Sequence, residues 1–324
     1  MEAALPVVSA TGLTKFFPGG GGVPFVRPPA QVRAVDNVSL SIDQGQSVGL
    51  VGESGCGKST LGRLLLRLIE PTSGSVTFEG TDLTSLSKEQ LRRVRSGMQM
   101  VFQDPYASLD PRKRVLDIVE EGMLAHGHVD RAANRERIAS LMARVGLDGR
   151  ALYQYPHHFS GGQRQRIGIA RALAVGARFI VADEPVSALD VSIQAQVLNL
   201  LADLRDDLQL TILLVSHDLA VVHHFTERVM VMYLGKIVEE APSEILYAQP
   251  RHPYTRALLD CIPTIEPARR GRLRPLAGEI PTPLNPPSGC RFHPRCPLAQ
   301  PVCAEVEPPL EMKADGHLAA CHFA

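Results

Sequence analysis

Eight residues constrain this chain more than any others: Gly52-Glu53-Ser54-Gly55-Cys56-Gly57-Lys58-Ser59. Closely spaced glycines let the backbone turn its N–H groups toward one point. The lysine and hydroxyl that follow bring a cation and a Mg²⁺ ligand to the same place. The pattern is G-x-x-x-x-G-K-[ST], a cradle for nucleotide phosphates. Such a loop joins the end of a strand to the start of a helix. Ser47–Val51 is the apolar strand run here, and Thr60–Ile69 carries the helical pattern. Strand and helix patterns then alternate through the first 250 residues, so an α/β sheet is expected.

The loop alone implies a nucleotide site and nothing narrower. Three further motifs follow it in order: Gln103 closing Met98–Phe102, then Ser160-Gly161-Gly162-Gln163, then Phe179–Glu184 with His217 behind it. Each residue type suits a part in phosphoryl chemistry. Gly52, Ser54, Gly55, Cys56 and Gly57 line the cradle, with Cys56 filling space. Lys58 holds the γ-phosphate charge, Ser59 ligates Mg²⁺, and Thr60 meets the α/β-phosphates where a helix dipole favours anions. Asp183 ends an apolar strand from which a carboxylate reaches Mg²⁺ through water. Glu184 is placed to polarise the attacking water. Two adjacent carboxylates at a buried strand end are costly unless a cation or proton is near. Gln103, whose amide can coordinate Mg²⁺ and orient water, would mean nothing by itself ahead of Asp104-Pro105. His217 alone would read as structural, but in this order it reads as a γ-phosphate contact. Phe17 is the candidate to stack on adenine, with Phe16 beside it as a competitor.

Composition narrows the class. Lys and Arg number 34 and Asp and Glu number 34, so formal net charge is zero. With no Trp as well, neither the charge nor the stacking surface expected of a nucleic-acid binder is present. No apolar run approaches the ~20 residues that span a bilayer. Met1-Glu2-Ala3-Ala4 lacks a basic stretch leading into an apolar one, so no secretory signal is expected. A cytosolic chain that meets a membrane only through partners is the expectation. The Gly/Pro run at 18–30 reads as a tolerated surface loop. A helix is expected around Ile138, Leu141, Met142 and Val145, capped by Asp130, and another over Ser192–Arg205.

The signature Ser160-Gly161-Gly162-Gln163 ahead of Asp183 resembles that of the ATP-binding cassette (ABC) ATPases. Longer stretches resemble one branch, the ATPase subunits of oligopeptide and dipeptide importers. These are Phe102-Gln103-Asp104-Pro105-Tyr106-Ala107-Ser108-Leu109-Asp110-Pro111-Arg112, Asp183-Glu184-Pro185-Val186-Ser187-Ala188-Leu189-Asp190-Val191-Ser192 and Arg251-His252-Pro253-Tyr254-Thr255-Arg256-Ala257-Leu258. The chain is more similar to the second of the two paralogous subunits in such importers. The resemblance implies an ABC-type nucleotide-binding domain over 1–250, with a RecA-like core, an antiparallel β subdomain and a helical signature subdomain at about 104–170. A Pro/Cys-rich extension follows over 251–324. It also implies a head-to-tail dimer in which ATP on one phosphate loop meets Ser160, Gly161, Gly162 and Gln163 of the other subunit, with Asp190 linking the two sites. The implied partners are a paralogous ATPase forming a heterodimer, two membrane permeases docking on the Gln103-to-helical region, and an extracytoplasmic solute-binding protein. The implied location is the cytoplasmic face of the cell membrane. Peptide is the implied solute, although members of the family also move nickel, glutathione or sugars. A rival reading is a soluble cassette acting on DNA or ribosomes. The absence of a heptad-bearing insertion between Lys58 and Ser160, and the single cassette, oppose it.

Cys290, Cys296, Cys303 and Cys321 fall in the extension, spaced C-x5-C-x6-C-x17-C. Without a C-x2-C knuckle a zinc ribbon is poorly supported. Four cysteines in a proline-rich cytosolic tail suit a [4Fe–4S] cluster, zinc, or plain reduced thiols. The resemblance implies the cluster. His293, His317 and His322 lie among them as surface or supporting residues. Being far in sequence from Lys58 and Glu184, the cluster is expected to support the fold of the tail and its contact with the partner subunit, and its loss is expected to leave the phosphate loop able to bind ATP.

Overall fold

A computed structural model describes residues 6–19, 31–262, 278–279 and 281–324. The 18–30 run therefore falls almost wholly outside the described residues. The chain forms two compact units that interleave in sequence.

The first unit holds residues 6–7, 42–46 and 85–215. Its strands Met98–Val101, Phe179–Asp183 and Thr211–Ser216 are parallel neighbours, in register Met98 to Phe179 and Val181 to Leu213. Every residue of Phe179–Asp183 and Thr211–Ser216 is buried. A parallel strand covered on both faces reads as a continuous apolar run, which is why both were visible in the sequence. Helices Val115–Ala125, Arg131–Arg144 and Gly161–Ala174 pack on one another. Ile138, Leu141, Met142 and Val145 are all buried, as their spacing predicts. Asp130 accepts from the amides of Ala132 and Ala133, capping Arg131–Arg144. The helix expected over Ser192–Arg205 runs Val191–Leu208.

The second unit holds Val8–Ser41, Ser47–Thr84 and Ser216–Ala324. One sheet orders its strands Gln31–Ile42, Val8–Pro18, Ser73–Phe78, Thr81–Asp82, with Ser73–Phe78 antiparallel to both Val8–Pro18 and Thr81–Asp82. In the other, Ser47–Val51 lies parallel to Arg228–Tyr233, which pairs antiparallel with Lys236–Pro242. The tail joins this sheet. His317–Ala319 pairs with Lys236–Pro242, and Glu311–Ala314 adds outside it through the two-residue turn Asp315-Gly316. The 251–324 segment thus contributes strands to the sheet that carries the phosphate loop. Among the described residues no helix is long and apolar enough to cross a membrane.

Candidate functional site

In the second unit the phosphate loop leaves Ser47–Val51 and enters helix Lys58–Leu65, two residues earlier than the sequence pattern suggests. Its glycines are sterically required. Gly52 has φ 154°, and a Cβ there would sit 2.2 Å from the Met232 carbonyl oxygen. Gly57 has φ 111°, and a Cβ would sit 2.0 Å from that of Ala34. Gly57 offers no side-chain cap to the helix it opens. Lys58 is buried and donates to the carbonyls of Gly52, at 2.7 Å, and Glu53, at 3.0 Å. The ammonium is thus held over the cradle by the loop's own backbone. Burial pushes the Cys56 thiol up against the opposing pull of Lys58, so Cys56 is a packed filler rather than a reactive thiol. Ser54 and Gly55 are exposed, while Ser59 and Thr60 are half-buried in the first helical turn. His217 is exposed just past Thr211–Ser216, and Asp218 beside it caps helix Leu219–Phe225. Phe17 is half-buried near the end of Val8–Pro18, with the Lys15 ammonium 5.1 Å from its ring. Arg33 occupies Phe16 in the same way.

In the first unit Asp183 is buried at the end of its strand. Glu184 follows with φ 46°, a left-handed conformation that L-residues resist. Its N–H donates to the Val215 carbonyl and its carbonyl accepts from Ser187, so the surrounding turn holds it there. The Gln103 amide donates to the Glu184 carboxylate at 2.9 Å. The structure therefore brings together the two residues assigned to the attacking water.

Ser160 and Gln163, also in the first unit, form a reciprocal capping box at the start of Gly161–Ala174. The Ser160 hydroxyl accepts the Gln163 N–H, and the Gln163 side chain accepts the Ser160 N–H. Ser160 and Gln163 are both exposed. The glycines between them answer to packing. A Cβ on Gly162 would lie 2.4 Å from Ile193 Cγ2, and one on Gly161 3.0 Å from Leu189 Cδ2. Asp190 is exposed at the N-cap of Val191–Leu208 and makes no side-chain cap.

Comparison with known proteins decides the family. The ABC transporter family model matches residues 35–187. A second model, the oligopeptide/dipeptide transporter C-terminal region, matches residues 238–303. The oligopeptide transport ATP-binding protein AppF of Bacillus subtilis is 50% identical over 322 residues, covering 98% of this chain and 97% of that protein. The dipeptide transport ATP-binding protein DppF of Haemophilus influenzae is 48% identical, covering 98% and 96%. The chain belongs to the oligopeptide/dipeptide-type ABC ATPases. Among solved structures, a post-hydrolysis dimer of the ATP-binding cassette MJ0796 bound to ADP and Pi is 30% identical. It covers 73% of this chain and 98% of that one with a TM-score of 0.64.

The tail of this ABC ATPase brings its four cysteines to one small cavity. Cys290, Cys296, Cys303 and Cys321 line it together with Phe292 and Leu298. The Cys290 thiol is pushed up to about 11 by burial, with smaller contributions from Cys303, Cys296 and Cys321. Burial raises Cys296 as well. Among the described residues no three His, Cys, Asp or Glu side chains are grouped to hold a single metal ion. The donor set is four soft sulfurs around an enclosed, largely apolar space, and in chemistry it fits a thiolate-ligated group. His293 Nδ1 hydrogen-bonds the Cys290 carbonyl and His322 Nε2 that of Val306. His317 is committed to Glu239 at 2.7 Å.

The tail also touches the phosphate loop directly. Arg295, next to Cys296, donates both guanidinium NH2 groups to the Glu53 carboxylate, at 2.7 and 3.0 Å. The buried Tyr254 hydroxyl accepts the Glu53 N–H at 2.8 Å. These ABC ATPase residues escaped sequence reasoning because the pair is 242 positions apart. One signal was available: a carboxylate inside an anion cradle needs a cation.

Proposed function

We propose that this ABC ATPase hydrolyses Mg-ATP to drive import of peptides by a membrane complex. Lys58 and the amides of the phosphate loop bind the triphosphate, with Ser54 and Thr60 assisting. Ser59, Gln103 and Asp183 would hold Mg²⁺, which would polarise the γ-phosphate oxygens, and Phe17 would stack on the base. Glu184, oriented by Gln103, takes the proton of the attacking water as its oxygen bonds to the γ-phosphorus and the bond from that phosphorus to the β,γ-bridging oxygen breaks, releasing ADP and phosphate. His217 steadies the γ-phosphate through the transfer. The observation that carries this reading is the Gln103–Glu184 hydrogen bond at the end of a buried strand, in a chain that also carries an intact phosphate loop.

In the assembled state Ser160, Gly161, Gly162 and Gln163 complete the site of a paralogous ATPase, and Asp190 links the two sites. The cassette occupies 1–250, with 104–170 facing two permeases on the cytoplasmic side of the membrane. A solute-binding protein delivers the peptide. Support for peptide comes from the match over 238–303 and from the oligopeptide and dipeptide transport ATP-binding proteins among the relatives. Glu184→Gln in the reconstituted complex should bind Mg-ATP but lose about 10²–10⁴-fold in turnover, and the isolated chain should hydrolyse ATP poorly. Near-normal turnover by Glu184→Gln would remove it as the base.

The extension, 251–324, carries a [4Fe–4S] cluster on Cys290, Cys296, Cys303 and Cys321, supported by their convergence on one cavity. When bound, the cluster would cross-link the proline-rich segment through its thiolates. Anaerobically prepared protein should contain four iron and four sulfide per chain and absorb broadly near ~400 nm. Zinc without iron, or no metal, refutes this assignment.

A further inference from the structure

The segment between Cys290 and Cys296 has two arginines, and both reach the phosphate-binding part of the second unit. Arg291 donates to the Leu234 carbonyl and to the Asp36 carboxylate. The next residue, Gly235, donates its N–H to the Cys56 carbonyl of the phosphate loop at 2.8 Å. Arg295 grips Glu53 in a two-point fork and also reaches the Tyr233 hydroxyl at 3.4 Å. Its side chain is 4% exposed, so the pair is screened little by water. Tyr254 holds the Glu53 amide from the other end of the tail and packs on Tyr233 and Phe292.

Glu53 poses an electrostatic problem. Its carboxylate belongs to the loop that must receive a polyanion, and its backbone carbonyl is one of the two that hold Lys58. Unpaired, it would oppose the phosphates and draw Lys58 toward itself. A planar guanidinium that binds both carboxylate oxygens removes the charge and fixes the rotamer together. We propose that Arg295 and Tyr254 of the C-terminal tail are positioning residues for ATP binding. Arg295 neutralises and orients the Glu53 carboxylate, and Tyr254 fixes the Glu53 backbone, so that the carboxylate does not compete with phosphate for Lys58. The inference rests on the phosphate loop being the nucleotide site.

The test is nucleotide affinity of the full chain, read with a fluorescent ATP analogue, alongside circular dichroism. Arg295→Met should raise Kd for ATP about tenfold or more, the scale of one lost charge-assisted pair. Glu53→Gln in the same chain should restore most of the affinity, because the charge needing a partner is gone. A purely structural role for Arg295 would not be rescued in this way. Arg295→Lys should fall between, and Tyr254→Phe should weaken binding by a smaller factor while the fold persists. Unchanged affinity in Arg295→Met, or failure of Glu53→Gln to rescue it, overturns the proposal. Should Arg295→Met fail to fold, Arg295→Lys and Tyr254→Phe decide the matter on their own: wild-type affinity in both overturns it. Wild-type affinity in Lys58→Ala would instead mean that the phosphate loop is not the site.

Discussion

The phosphate loop and the Ser160 signature are both glycine-bearing turns that open a helix, yet they are built differently. The phosphate loop is walled on several sides. Gly52 and Gly57 press on the carbonyls of Met232 and Ala34, Lys58 is buried, and the tail holds Glu53. The signature is exposed at Ser160 and Gln163 and satisfies its own first turn through the capping box. One region is made by the rest of its chain, whereas the other completes itself and keeps an open face. A site that binds ATP within one subunit needs the first kind of order. On the proposed function, the second suits a surface offered to another subunit's nucleotide.

The largest expected effect tests the walled side. Gly57→Ala forces a Cβ against a backbone carbonyl at a φ that alanine resists, so nucleotide binding should vanish and the melting temperature should fall. Gly162→Ala meets only the Ile193 side chain, which can turn aside. It should cost about 1–2 kcal/mol and reduce turnover of the assembled complex while leaving ATP affinity of the isolated chain unchanged. Equal loss of affinity in the two variants would erase the distinction.

The smallest effect sharpens it through pH. His252 caps helix Pro253–Asp260 through Nδ1, and burial pulls its pKa down from 6.5 to about 3. Between these values the unfolded chain binds a proton that the folded chain refuses, so stability falls as pH drops through 6.5. Between pH 7 and 5.5 this group should cost about 1 kcal/mol. The loss should appear in thermal melts of the tail-bearing unit, with amide exchange of Gly161–Ala174 little changed. His252→Asn, which caps without titrating, should flatten that dependence. An unaltered pH slope in His252→Asn would exclude this histidine as its source.

Sequence reading succeeded where the signal was local. Buried parallel strands, the Asp130 cap and the ordered motifs were all legible, because each depends on neighbours a few residues away. It failed at ends set from a distance. The helix expected to reach Ile69 stops at Leu65, with Arg67 at φ 46° and its guanidinium donating to the Leu83 carbonyl. No glycine or proline marks that stop. The Asp315-Gly316 hairpin carries a usable local signal, but the crowding of prolines around it obscured two strands. The clamp on Glu53 had no local signal beyond the charge itself.

That clamp has a consequence in time. Translation proceeds at about 5–20 residues per second, and Glu53 precedes Arg295 by 242 positions. The phosphate loop therefore leaves the ribosome roughly ten to fifty seconds before the residue that orders it. During that interval the nascent cassette has its lysine and glycines but lacks their brace. On the proposed role of Arg295, full nucleotide affinity comes only at the end of synthesis, together with the last strands of the sheet.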